Sequence, residues 1–132
     1  MSRSDRQDTL VRDTVTLQVD IEQYTAVTRD GEIAAADADA FGIAMTSGNV
    51  GDPVPVCRFG FCPVRVETAA GNTSDKTALA VGDLGLLKAL PAEAGTYNVV
   101  ALSEEATAAD GAQTGAWVDC LSYGREVTVS GT

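Results

Sequence analysis

Between Thr14 and Glu22 the chain alternates without a break: Val15, Leu17, Val19 and Ile21 are apolar, while Thr14, Thr16, Gln18, Asp20 and Glu22 are polar. A strand points successive side chains to opposite faces, so this two-residue period commits the segment to a sheet with one buried face. The same pattern recurs downstream in shorter pieces. Tyr24 to Thr28 is built from β-favouring residues, Asp30-Gly31 supplies the positive φ of a tight hairpin turn, and Ile33 to Ala35 forms the return strand. Gly42 to Met45 reads as a short apolar strand, followed by a turn cluster over Ser47 to Asp52. Pro53 to Arg58 and Cys62 to Glu67 read as a hairpin around Gly60. A three-residue loop there matches Val56 with Val64 and Val54 with Val66, gathering the apolar side chains on one face. That register points Cys57 and Cys62 to opposite faces, which argues against a bridge between them.

Other segments carry weaker signals. Ala34 to Ala40 has alanine's helix propensity, but it is short and its aspartates favour turns, so it is a connection. Ala69 to Lys76 is polar loop. In Thr77 to Leu90 the leucines are loosely helical in spacing, yet Gly82 and Gly85 each weaken a helix by about 1 kcal/mol. A turn at Gly82-Asp83, a strand from Leu84 and a turn at Pro91 fit better. Thr96 to Ser103 is a strand, Ala106 to Gly115 an acidic loop, and Ala116 to Tyr123 a strand; Val127 and Val129 alternate to the end. A Gly42–Met45 strand, turn and Val54-Pro55-Val56 are loosely echoed by Val99–Leu102, a loop and Trp117-Val118-Asp119, as in two halves of one barrel. The expected fold is all-β: a small β-barrel or sandwich of short antiparallel strands over residues 14–132, preceded by a polar N-terminal arm, residues 1–13.

Apolar residues make up 45% of the chain but aromatics only 5%, so the core is expected to be thin and lined by Ala and Val. Trp117 and Tyr123 are then read as the large residues such a core requires, with a ligand platform as the alternative.

Reactive machinery is scarce. The sequence has no histidine, which removes the commonest general base and the Ser-His-Asp and Cys-His arrangements. Cys57, Cys62 and Cys120 are odd in number and lack C-x-x-C spacing; they read as small buried side chains rather than zinc ligands. Glu104, Glu105, Asp37 and Asp39 sit in predicted loops as solvated charge, and no calcium or phosphate loop is present. No enzyme activity, cofactor or metal is expected. A net charge of −10 disfavours nucleic acid and anionic membrane surfaces, and fits either ordinary solubility or adaptation to high salt. The N-terminus lacks an apolar signal segment, so synthesis in a cytoplasm is expected.

Taken in order, these motifs resemble the head decoration (capsid cement) proteins of tailed phages. The resemblance runs from about Tyr24 to Tyr123: the Asp30-Gly31 hairpin, Phe41-Gly42-Ile43-Ala44, Val50-Gly51-Asp52-Pro53-Val54-Pro55-Val56, Gly60, Pro63-Val64-Arg65-Val66, Val81-Gly82-Asp83-Leu84, Val99-Val100-Ala101-Leu102, and Gly111 leading into Trp117-Val118-Asp119. Gly111-Ala112-Gln113 stands where the family carries a second Gly-Asp turn, and the N-terminal extension is unusual for it. The resemblance implies a compact tulip-like β-barrel on the capsid exterior of the virion. It implies a trimer or other ring that bridges major capsid protein subunits. Within that reading, Arg3, Arg6 and Arg12 of the arm are the expected capsid contacts; a frayed terminus is the alternative. The competing functions are a virion or cell-surface module that binds a host protein or glycan, and a carboxylate enzyme.

Overall fold

A computed structural model describes residues 11–67, 78–90, 95–103, 113–121 and 126–129 of the chain. The elements are strands β1 (Val11–Thr16), β2 (Ala26–Val27), β3 (Gly42–Ala44), β4 (Pro53–Arg65), β5 (Ala78–Val81), β6 (Leu87–Ala89), β7 (Gly95–Asn98), β8 (Ala101–Ser103), β9 (Gln113–Asp119) and β10 (Glu126–Val129). A 3-10 turn, Asp83–Gly85, joins β5 to β6. The main sheet runs β2-β3-β4-β9-β8-β5-β6, with β1 also paired to β4, and β7 pairs β10 separately. A parallel bridge from Val66 to Leu87, with the Glu67 N–H donating to the Leu87 carbonyl at 2.9 Å, carries the end of β4 back to β6. The sheet thereby nearly closes on itself as an antiparallel barrel, which removes most of its exposed edge.

Two apolar clusters fill it. The larger holds Ile43, Cys57, Cys62, Val64, Leu79, Val81, Leu87, Val100 and Val118 among others; the smaller holds Val15, Leu17, Ile21, Val27, Ala44, Val54 and Val56. Most of these side chains are Val or Ala, as the composition requires. From the strict alternation, Val15, Leu17 and Ile21 are buried and Val19 is exposed, because β1 ends at Thr16. Beyond it the chain is held by Leu17 N–H to the Asp52 carbonyl and by an Ile21–Gly48 bridge.

The Asp30-Gly31 hairpin forms as read. Thr28 N–H donates to the Glu32 carbonyl, Val27 bridges Ile33, and Gly31 takes φ +88°. Ala34 to Ala40 is non-helical, and β3 and the Gly51 turn stand where the sequence puts them.

Several expectations are corrected. Pro53 to Arg65 is one continuous strand and not a hairpin: its first half pairs β1 and β3, its second half pairs β9. Val54 and Val56 therefore do not face Val66 and Val64. Thr77 to Leu90 contains a strand, β5, ahead of Gly82, and the strand after it begins at Leu87; Leu84 adopts φ +57° in the turn and is exposed. Thr96 to Ser103 is split between β7 and β8, with Val99 and Val100 buried between them. β9 begins at Gln113, inside the expected acidic loop. The loop expected over Ala69 to Lys76, the turn at Pro91 and residues 104–112 lie outside the described residues.

Candidate functional site

The continuity of β4 depends on Gly60. In a straight strand, five steps of about 3.3 Å would put Cys57 and Cys62 roughly 16 Å apart on opposite faces. Both are instead buried in one cluster, close enough for each thiol to shift the pKa of the other. The strand thus turns a corner at Phe59-Gly60-Phe61, where Gly60 takes φ +125°, a value that L side chains rarely adopt. The two cysteines face the inside of the corner together, a correction to the opposite faces expected from a hairpin. The neighbouring Cys62 thiol lowers the pKa of Cys57, and Cys57, together with burial, raises that of Cys62.

The outside of the corner carries Phe59 and Phe61, which are 40% and 42% exposed. Across the ladder, β9 sets Trp117 opposite Phe61 and Asp119 opposite Phe59. Trp117 is 46% exposed, so it is not a core residue; β9 buries Ala116 and Val118 and turns the indole outward. The Phe61 and Trp117 rings meet edge-on, centroids 5.2 Å apart at 65°. Gly115 makes room for this pair: a Cβ there would lie 2.6 Å from Phe61 Cζ. On its other side Trp117 borders a shallow groove of about 240 Å³ shared with Phe59, Val99, Ala101, Leu102 and Asp119. Val11, exposed and paired with Phe59, extends the apolar strip at the start of β1. Large contiguous exposed apolar surface on a small domain marks an interaction site.

Beside this face, Phe41 is stacked by two guanidinium groups, Arg58 at 3.9 Å and Arg29 at 4.9 Å from the ring centroid. Arg58 Nε also donates to the Phe41 carbonyl at 2.8 Å and Nη2 to the Cys120 carbonyl at 3.4 Å, locking the side chain down. Burial pushes the Cys120 thiol up to about 12.

Several of the acidic residues are engaged in the scaffold. Glu22 pairs Arg65 at 2.8 Å and Asp37 pairs Lys88 at 2.9 Å. Asp20 and Asp52 accept backbone N–H groups of the Val50 and Asn49 turn, and Asp39 accepts from Ala40. Among the described residues no cluster of three or more Cys, Asp or Glu side chains could hold a metal ion. Of the arm arginines, Arg12 lies within β1, paired with Cys57; Arg3 and Arg6 lie outside the described residues, as do Glu104, Glu105 and Tyr123. The strand thus starts at Val11, inside the segment assigned to the arm. Phe59 and Phe61 escape a reading that takes Gly60 for a turn. Simple alternation could have found Trp117, since it shares the face of Asp119 and not that of Val118.

The arrangement defines a class: a small, nearly closed antiparallel β-barrel with one cornered central strand and an aromatic outer face. No family model matches the sequence, and no curated protein matches it. A solved structure with the same fold is the N base of head fiber gp8.5 in bacteriophage phi29, with a TM-score of 0.61 over 86% of this chain and 99% of that one. The two are 14% identical, so the likeness is one of fold, and it bears out the barrel expected from the sequence.

Proposed function

We propose that this chain is a structural protein of a tailed-virus head, seated on the outer surface of the assembled capsid as a decoration or cement protein. The observation that carries the reading is the fold shared with a phage head-fiber base over nearly the whole of both chains. The order of turn and strand motifs, the acidic exterior and the exposed aromatic face support it. The partner is the major capsid protein, and a homotrimer or other ring sets several copies around each contact. A protein that binds only the assembled shell stabilises it by mass action, and several linked contacts multiply the affinity. Arg3, Arg6 and Arg12, the last exposed at the start of β1, remain the proposed capsid contacts.

Co-sedimentation with purified shells across a salt series tests this reading. Saturable binding to assembled shells, and not to free capsid subunits, is expected; absence of binding at every salt concentration refutes it. The exposure of Trp117 favours a second reading, a virion module that recognises a host glycan or protein. Binding to host cells by the isolated protein, without affinity for shells, would establish that one instead.

A further inference from the structure

We propose that the outer face of β4, β9 and β8 around Phe61 and Trp117 is where one copy of this chain meets the next, the Phe61 side chain of one seated in the groove of its neighbour. It rests on the reading of a capsid protein that assembles into a trimer or other closed oligomer, and names the surface that closes it. Along the ladders Phe61 stands opposite Trp117, Trp117 opposite Leu102, and Leu102 opposite Ala78. Directly opposed residues share one face of a sheet, so these four make an uncharged row across four strands, about 14 Å long at the usual strand spacing. Pro63 and Gly115, also paired, widen it. The charges that flank the row are held by their own chain: Arg65 pairs Glu22, and Asp119 Oδ1 accepts the Leu121 N–H at 3.2 Å.

Charge selects the occupant. Each copy carries nineteen acidic and nine basic residues, so two copies meet at least cost where neither presents a carboxylate. Shape agrees. The edge-on Phe61–Trp117 pair is a ridge, and the groove of about 240 Å³ bordered by Trp117 and Leu102 lies beside it. A cavity of about 150 Å³ already holds a benzene ring, whereas sites for drug-sized ligands begin near 300 Å³, so the groove suits one inserted side chain. Ridge and groove belong to the same face, and a rotation that seats one in the other repeats until the oligomer closes. The exposed parts of Phe59, Phe61 and Trp117 amount to about 250–300 Å². That is roughly a third of the ~800 Å² each partner gives to a stable interface, and it falls in the aromatic centre such interfaces have.

Light scattering on the full chain after size exclusion tests this. An oligomer that dissociates on dilution is expected, tightening as salt screens the repulsion between acidic copies. Trp117 is the sole tryptophan, so its quenching by acrylamide should rise about twofold or more on dissociation. Phe61→Asp and Trp117→Ala should each raise the dissociation concentration at least about tenfold. Val50→Ser, which removes an exposed apolar side chain elsewhere, should leave it unchanged. Far-UV circular dichroism reports the fold of each variant, and Phe61→Ala replaces Phe61→Asp if the latter unfolds. A monomer at every concentration and salt, an oligomer that both substitutions leave intact, or one that loosens as salt rises would overturn the proposal. Shell sedimentation separates it from the wider reading. A wild-type monomer that binds shells refutes this face and leaves the virion role standing. An oligomer dispersed by Phe61→Asp that never binds shells refutes the virion role and leaves the face. Loss of shell binding by Phe61→Asp with the oligomer intact gives the face to the capsid protein instead.

Discussion

Gly31 and Gly51 form a natural experiment in what a β-carbon costs. Both have nearly the same backbone, φ +88° and +92°, so alanine at either meets a similar left-handed penalty of about 1–2 kcal/mol. Their surroundings differ. Around Gly51 a Cβ would find nothing within 4 Å. At Gly31 it would lie 2.0 Å from the Thr16 carbonyl oxygen and 3.0 Å from the Leu17 Cα, both backbone atoms with no rotamer to change. The hairpin would have to retreat by about 1 Å to restore ordinary contact. That move breaks the 2.9 Å bond from Gln18 N–H to the Gly31 carbonyl, a loss of about 1 kcal/mol. It also loosens Leu17, one of the largest fully buried side chains, by about 1–2 kcal/mol. Gly31→Ala should therefore cost about 4 kcal/mol and Gly51→Ala about 1–2 kcal/mol. At about 3–5 °C per kcal/mol for a domain of this size, the melting temperatures should fall by roughly 12–20 °C and 3–10 °C. Urea denaturation followed by far-UV circular dichroism measures both. Equal losses for the two variants would refute the argument, because the backbone conformation alone would then account for everything.

Other expectations are more local. Leu79→Ala removes a fully buried side chain from the larger cluster and should cost about 2–4 kcal/mol in the same denaturation assay. Iodoacetamide at pH 8 should leave Cys57, Cys62 and Cys120 largely unmodified in the native protein and alkylate all three in urea, as intact-mass measurement will show, since two are buried and burial raises the thiol of Cys120. Asp37 holds the Lys88 ammonium above the ordinary lysine pKa. The stability from that pair is full below the unfolded-state lysine pKa and is lost as pH rises through the folded value; Asp37→Asn should flatten this alkaline loss in melts recorded across the pH range. Deleting residues 1–10 should lower occupancy on shells while leaving the melting temperature within a few degrees, and unchanged occupancy would remove the arm from the capsid contact.

The sequence is most readable where one signal has one meaning. Asp30-Gly31 calls for a tight turn, and the apolar residues around it show which face goes inward; both appear in the structure. Gly60 carries a signal with two meanings, because a hairpin turn and a sharp strand corner both need positive φ. Nothing local separates them; the choice is made by β1, β3 and β9, which pair along β4 from distant parts of the chain. Trp117 is hard to place for another reason. Residue size argues for burial, but the period of β9 opposes it, with Ala116 and Val118 inside and Trp117 outside. In a barrel lined by small side chains, period is the better guide, since a narrow interior has no room for an indole.

Because β4 gives its first half to the smaller cluster and its second to the larger, neither can dissolve without dragging away the ladder of the other. Amide exchange should therefore report a single opening free energy for Val56 and Val64 despite the corner between them. That linkage makes the two clusters one cooperative unit that opens all-or-none. The two clusters hold together or open at once, with no half-melted form that bares the strand edges of one alone.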